Sequence, residues 1–193
     1  MRLVAKTRLV DRIDFNAPIT ISFLLISIVA LIVNALTSGL SNELIFSSYR
    51  SLDLMYPIRL ITHMFGHADL NHFMGNMTML LVLGPTLEEK YGSISMGLCC
   101  VLTSVAIGIV NTIFFPNVAI LGASGIVFMM IMMASASNIK EGRIPFTMIL
   151  VGCIYLGDEL ISGIFLSDNI SNLSHILGGV CGICFGYNLS PRK

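Results

Sequence analysis

Ser124 stands among small residues in Leu121-Gly122-Ala123-Ser124-Gly125-Ile126, at the start of an apolar stretch, and His175 opens the last apolar stretch of the chain. A serine hydroxyl is a poor nucleophile until a neighbouring base takes its proton, and a neutral imidazole does this near pH 7. The tetrahedral intermediate then needs hydrogen-bond donors at its oxygen, each worth roughly 3–4 kcal/mol when lost. His72 and Asn76, four apart on one helix face, and the Ser124 backbone N–H are suitable donors. Gly122 and Gly125 let a substrate backbone come close to the nucleophile. The chemistry open to this set is acyl transfer, and peptide-bond hydrolysis is its leading form.

The elements that must position these residues follow from composition. Of 193 residues, 55% are hydrophobic and 11% charged, against roughly 25% charged in soluble domains. So small a polar pool cannot cover a water-facing surface, and lipid must serve as part of the solvent. The net charge of zero argues against nucleic acid as partner. Five cysteines all fall in apolar segments and imply no disulfide framework. Cys181-x-x-Cys184 lacks the second pair that a zinc set needs and reads as small-residue packing.

Apolar runs punctuated by polar, Gly or Pro residues predict an all-α membrane protein of six spans, near 19–37, 70–87, 93–114, 122–138, 146–164 and 173–189. Residues 1–18 are a basic N-terminal segment, and 19–190 form the membrane domain. The run from Ile19 is too long for a signal h-region and reads as an uncleaved first span. Gly178, Gly182 and Gly186 recur every four residues in the last span, a face that permits close helix approach.

With the N-terminus inside, nine Lys and Arg residues (2, 6, 8, 12, 90, 140, 143, 192 and 193) are cytoplasmic, and only Arg50 and Arg59 are external. That bias puts both termini in the cytoplasm. The absence of a transit-like presequence and the short length favour a bacterial plasma membrane. The first external loop, residues 38–69, alternates apolar and polar residues, as a folded structure in the interface would. Spans two, four and six all run inward, so His72, Asn76, Ser124 and His175 reach one leaflet depth. Polar groups at that depth are costly and usually functional. Water must reach them, which calls for a polar cavity in the outer half of the bundle.

These motifs resemble those of the rhomboid intramembrane serine proteases, over about residues 55–190, in their compact six-span bacterial form. Gly-x-Ser-Gly is Gly122-Ala123-Ser124-Gly125, His-x-x-x-Asn spans His72 to Asn76, and His-x-x-Gly-x-x-x-Gly runs from His175 through Gly178 to Gly182. Arg59 with His63 and His67, and Glu88 with Tyr91-Gly92-Ser93, fit the family's first loop and second span. The resemblance implies a Ser124–His175 dyad, an oxyanion site with His72 and Asn76, and no cofactor. It implies a substrate that is itself a membrane helix, cut near its outer end at a small residue after lateral entry past spans two and five. The position four after the nucleophile, often Tyr, is Phe128, whose ring can still stack beneath the histidine. The residue before His175, commonly Ala, is Ser174.

Other readings compete. His63, His67 and His72 with Asp69 nearby form a conceivable zinc set, but no His-Glu-x-x-His run supports it. A catalytically inactive rhomboid-like protein that binds transmembrane clients is the alternative from another class. Asp158 and Glu159, two-thirds along span five, belong at its wet outer end, with a minor option of a third catalytic role for Asp158 or Asp168.

Overall fold

A computed structural model describes residues 15–51, 53–136, 139, 144, 146–151, 153 and 169–189. The described chain is mostly helical: α1 (Pro18–Leu36), α2 (Tyr56–Thr62), α3 (Leu70–Tyr91), α4 (Ser93–Phe114), α5 (Ser124–Ala136), α6 (Phe146–Val151) and α7 (Asn169–Leu189). Among the described residues, α1 and α4 are long and apolar enough to cross a membrane. Pro18 starts α1, where a missing N–H costs nothing. Leu25, Val29, Ile32 and Leu36 form an exposed stripe along it, while Thr20, Phe23, Ser27 and Ala30 face the interior. Apolar residues out and small or polar residues in is the reverse of a water-soluble helix. Helix α4 repeats the pattern, with Ile94, Leu98 and Leu102 outward and Cys99, Thr103 and Ser104 inward.

Helix boundaries differ in places from the sequence reading. Helix α3 continues past 87 to Tyr91 because Glu88 is not a charged terminus in water: it is buried, and accepts hydrogen bonds from Ile19 N (3.1 Å), Thr20 N (2.6 Å) and Thr20 Oγ1 (2.6 Å). The carboxylate thus caps the N-terminus of α1, whose first N–H groups have no intrahelical acceptor. Only at Gly92, with φ +83°, does the chain turn into α4. Helix α7 begins at Asn169, one turn before the apolar run that marked its start. Residues 137–138, 140–143 and 154–168, where the inner loop, most of the fifth span, Asp158, Glu159 and Asp168 were expected, lie outside the described residues.

The first loop is folded. A π-helical turn (Asn42–Phe46), α2 and a 3-10 turn (His63–Phe65) follow α1. Arg59 is buried at their centre: Nη2 donates to both Asp53 carboxylate oxygens at 2.8 Å and to the Ser51 hydroxyl, and Nη1 to Leu44 O at 3.2 Å. The Tyr49 ring covers the guanidinium at 4.5 Å. Arg59 holds the Asp53 carboxyl below the usual carboxylate range. Tyr56 Oη donates to Thr112 Oγ1 (3.0 Å), which fastens the loop to α4. Leu40, Leu44, Leu54 and Ile58 remain exposed on the loop, with Leu54 at 95%.

Methionine fills much of the interior, with Met64, Met77, Met96, Met129, Met130 and Met133 in the main cluster beside Leu80, Leu87 and Ile126. Its unbranched side chain adapts to irregular gaps. Helices α5 and α7 pack most closely of all. A Cβ on Gly178 would overlap the carbonyl of Gly125, one on Gly182 that of Met129, and one on Gly186 would lie 2.7 Å from that of Met133. Each glycine meets α5 with the same residue offset, so the two helices run parallel.

Three outcomes follow. Glu88→Ala strands the donors of α1 and should cost about 2–3 kcal/mol, read as a lower thermal midpoint in detergent. Gly182→Ala should destabilise far more than Gly75→Ala, because Gly182 meets backbone that cannot yield and a Cβ on Gly75 meets nothing within 4 Å. The third concerns pH. Burial pushes His63 and His67 from 6.5 down to about 4, with the facing His72 adding to the effect on His67. Between pH 6.5 and about 4 the unfolded chain therefore binds protons that the fold refuses, so stability should fall as pH drops through that window and level off below it. A thermal midpoint that stays flat from pH 7 to 4 would contradict this.

Candidate active site

Local backbone chemistry sets where Ser124 lies. Ser48 and Ile120 exchange both backbone hydrogen bonds, at 2.8 and 3.0 Å, and Asn111 Nδ2 donates to Val118 O at 2.8 Å. Gly122 N donates to His63 O at 2.9 Å. The first loop and α4 thus pin the segment just ahead of the nucleophile candidate. Gly122 then takes φ +122°, a conformation that L side chains rarely adopt, and the chain cannot be helical there. Helix α5 consequently starts at Ser124 rather than at 122, with Val127 N donating to Ala123 O at 2.9 Å as its first bond. Ser124 is therefore in the first turn of a helix, where backbone N–H groups lack intrahelical partners and the dipole favours negative charge.

The glycine contact between α5 and α7 fixes the second group. His175 precedes Gly178 by one turn, and its ring lies stacked on Phe128 at 4.4 Å with 6° between planes. Phe128 is itself one turn after Ser124. The Ser174 carbonyl lies 3.4 Å from where a Cβ on Gly125 would stand.

Helix α3 brings the third. Asp69 caps its start by accepting from His72 N at 2.9 Å. The His72 ring rests on Gly122: a Cβ there would lie 2.7 Å from Cε1 and 2.8 Å from Nε2. Gly122 is thus required twice, by its φ and by this imidazole. His175 is within electrostatic reach of His72. Asn76, one turn further along α3, is buried, and its Nδ2 has no hydrogen-bond partner among the described residues. His72 thus meets Gly122, Phe128 meets His175, and Gly125 meets the Ser174–Gly178 stretch, so the first turns of α3 and α5 and the early turns of α7 lie beside one another.

A cavity of about 210 Å³ opens beside Ser124, lined also by His63, Ile107, Ile120, Gly122 and Ser174. His63 Nε2 faces Ser104 O at 3.1 Å. A carbonyl only accepts, so Nε2 carries the hydrogen and Nδ1 is a bare acceptor. That Nδ1 is buried without a hydrogen-bond partner among the described residues. At roughly 30 Å³ per water, the cavity has room for several molecules next to the hydroxyl.

Sequence reasoning placed His63 in the first loop and missed its place on the cavity wall; the hydrogen bond from Gly122 N to its carbonyl, invisible in a linear reading, holds it there. Ser174, noted only as a departure, lines the same cavity. Cys181 packs against the core and Cys184 is exposed, so the two do not share a face. His63 turns toward α4 while His67 and His72 face each other, and among the described residues no three His, Cys, Asp or Glu side chains form a metal-binding group.

Comparison with known proteins identifies the fold. The rhomboid domain matches residues 55–192. Rhomboid-related protein 2 of Mus musculus is 31% identical over 144 residues, covering 68% of this chain and 47% of that protein. Rhomboid-related protein 1 of Caenorhabditis elegans is 29% identical over 138 residues, covering 67% and 39%. Rhomboid protease GlpG of Haemophilus influenzae is 29% identical over 135 residues, covering 67% and 68%. The chain thus spans about half or less of the length of the first two relatives. It belongs to the rhomboid family, whose members are integral membrane proteins.

Proposed function

We propose that this chain is an intramembrane serine endopeptidase, a six-span bundle with both termini cytoplasmic that cuts transmembrane proteins near the outer ends of their helices. The observation that carries the reading is the parallel pairing of α5 and α7, with Ser124 opening one helix and His175, stacked on Phe128, in the first turns of the other. Membership of a family that includes a relative named as a rhomboid protease supports it.

In the proposed reaction, Ser124 Oγ attacks the scissile carbonyl carbon as His175 takes the hydroxyl proton. The Ser124 N–H, His72 and the Asn76 amide, whose Nδ2 has no partner among the described residues, donate to the oxyanion. The C–N bond then breaks while His175 returns the proton to the leaving amine. Water from the adjacent cavity attacks the acyl ester, His175 takes a proton again, and Ser124 is released. Stacking on Phe128 limits the imidazole to planes that serve both transfers. The chain's own groups supply every step without a cofactor. Lateral entry between the second and fifth spans would deliver the substrate, and a small residue at the cut suits the cramped approach over Gly122. The host membrane in this reading is a bacterial plasma membrane.

The test uses detergent-solubilised protein, a fluorophosphonate probe and a transmembrane reporter substrate. Labelling and cleavage should both disappear in Ser124→Ala and His175→Asn, while Asn76→Ala should retain labelling and lose about 100-fold in kcat. Cleavage that survives in Ser124→Ala would overturn the proposal. A protein that binds the reporter but neither labels nor cuts it would instead be a catalytically inactive client binder.

A further inference from the structure

Helix α2 has its polarity inside out. Its one charged residue, Arg59, is buried. Leu54, Pro57 and Ile58 are exposed and Ile61 is half-buried, and this spacing puts the four on one side of the helix. A short helix in water would turn the other way, with the guanidinium out and the leucine and isoleucines in. Thr62 closes that side without calling on water, since its hydroxyl is bonded to Ile58 O (3.2 Å) and Ile45 O.

The contacts of α2 with α4 set its depth. Tyr56 Oη donates to Thr112 Oγ1 at 3.0 Å. A Cβ on Gly108 would lie 2.8 Å from Leu60 Cδ2. Ser104 Oγ donates to Leu60 O and Ile61 O at 3.0 and 3.2 Å, and His63 Nε2 donates to Ser104 O at 3.1 Å. As numbers rise along α2, its partners on α4 fall, so the two run antiparallel and α2 descends from the Phe114 end. The stretch from Ser104 to Phe114 spans about 15 Å at 1.5 Å per residue, roughly half the thickness of a hydrocarbon core.

The surfaces on either side are apolar too. Ile109, Ile113 and Phe114 are exposed along the same half of α4. The stripe of Leu25, Val29, Ile32 and Leu36 on α1 continues at the same spacing into Leu40 and Leu44 of the loop. Exposed charges on the loop are of both signs, Glu43 and Asp53 against Arg50, which gives no pull toward anionic lipid in particular.

We propose that the first loop is a lipid-contacting surface in its own right: α2 enters one leaflet beside α4, and Leu40, Leu44, Ile58 and Ile61 lie against phospholipid acyl chains, with Leu54 nearer the headgroups. The bilayer is the occupant because this edge continues faces of α1 and α4 that lipid must cover in an integral membrane protein. Lipid on that side also keeps α2 docked, since turning Arg59 outward would carry its charge into hydrocarbon. The carbonyl of His63, just past α2, accepts from Gly122 N, so the leaflet bears on the turn before Ser124. This surface stands whether or not the chain is a protease.

The chain has no tryptophan, so one introduced residue is an unambiguous fluorescent reporter. The full chain carrying Ile58→Trp is reconstituted in phosphatidylcholine vesicles with plain or brominated acyl chains, with iodide on both sides of the membrane as the aqueous quencher. Leu25→Trp, on the exposed stripe of α1, is the lipid-facing reference. Brominated chains should quench Ile58→Trp at least half as strongly as Leu25→Trp, with blue-shifted emission and protection from iodide. Iodide quenching that matches or exceeds quenching by the brominated chains would put this edge in water and overturn the proposal. Insensitivity to both quenchers would overturn it as well, by showing that protein, such as a second copy of the chain, covers the face. If Ile58→Trp does not fold, Leu44→Trp, on the loop's other apolar edge, is read by the same criteria.

Discussion

Where Gly178, Gly182 and Gly186 meet α5, two helices come together backbone to backbone, and no side chain fits between them. Lipid gives helices no hydrophobic reason to associate, because acyl chains are as apolar as leucine. Close contact between flat faces is the substitute. A single added methyl group would push α7 away from α5, and with it His175 from the helix that begins at Ser124. The stacking of His175 on Phe128 depends on that spacing, and so does the wall that Ser174 contributes to the cavity. Geometry here is set by what is missing from three side chains.

The first loop supplies a second constraint. Arg59 gathers Asp53, Ser51, Leu44 and the Tyr49 ring, a buried cation satisfied on several sides. From that knot the loop reaches the site at two backbone points, Ser48 to Ile120 and His63 to Gly122. The loop thus acts as a template for the turn before Ser124. At both points the loop's backbone groups are paired with protein rather than left open.

Much of this was legible in the sequence. Motif residues spaced four apart fall on one helix face by periodicity, and His72 and Ser124 do open their helices as the apolar runs suggested. The glycine repeat announced a close helix contact. Other features were hidden for physical reasons. Glu88 fell just beyond the apolar run that bounded the second span, and its buried partners Ile19 and Thr20 lie far away in sequence. The pairing of Ser48 with Ile120 has no composition signal, since backbone hydrogen bonds are blind to residue type. The edge-on contact of His67 with His72 depends on a turn whose path only the folded loop defines.

The outward apolar stripes of α1 and α4 carry a consequence for how this sequence can drift. In a water-soluble protein, surface positions are permissive and the core conservative. Here Leu25, Val29 or Leu98 can exchange freely among oily residues, since fluid acyl chains conform to any of them. Thr20, Ser27 and Ser104, small and modest by comparison, sit where volume and hydrogen bonding are both fixed. Selection should therefore weigh most heavily on the least hydrophobic residues of each span, and hydropathy alone would rank the chain's mutational sensitivity upside down.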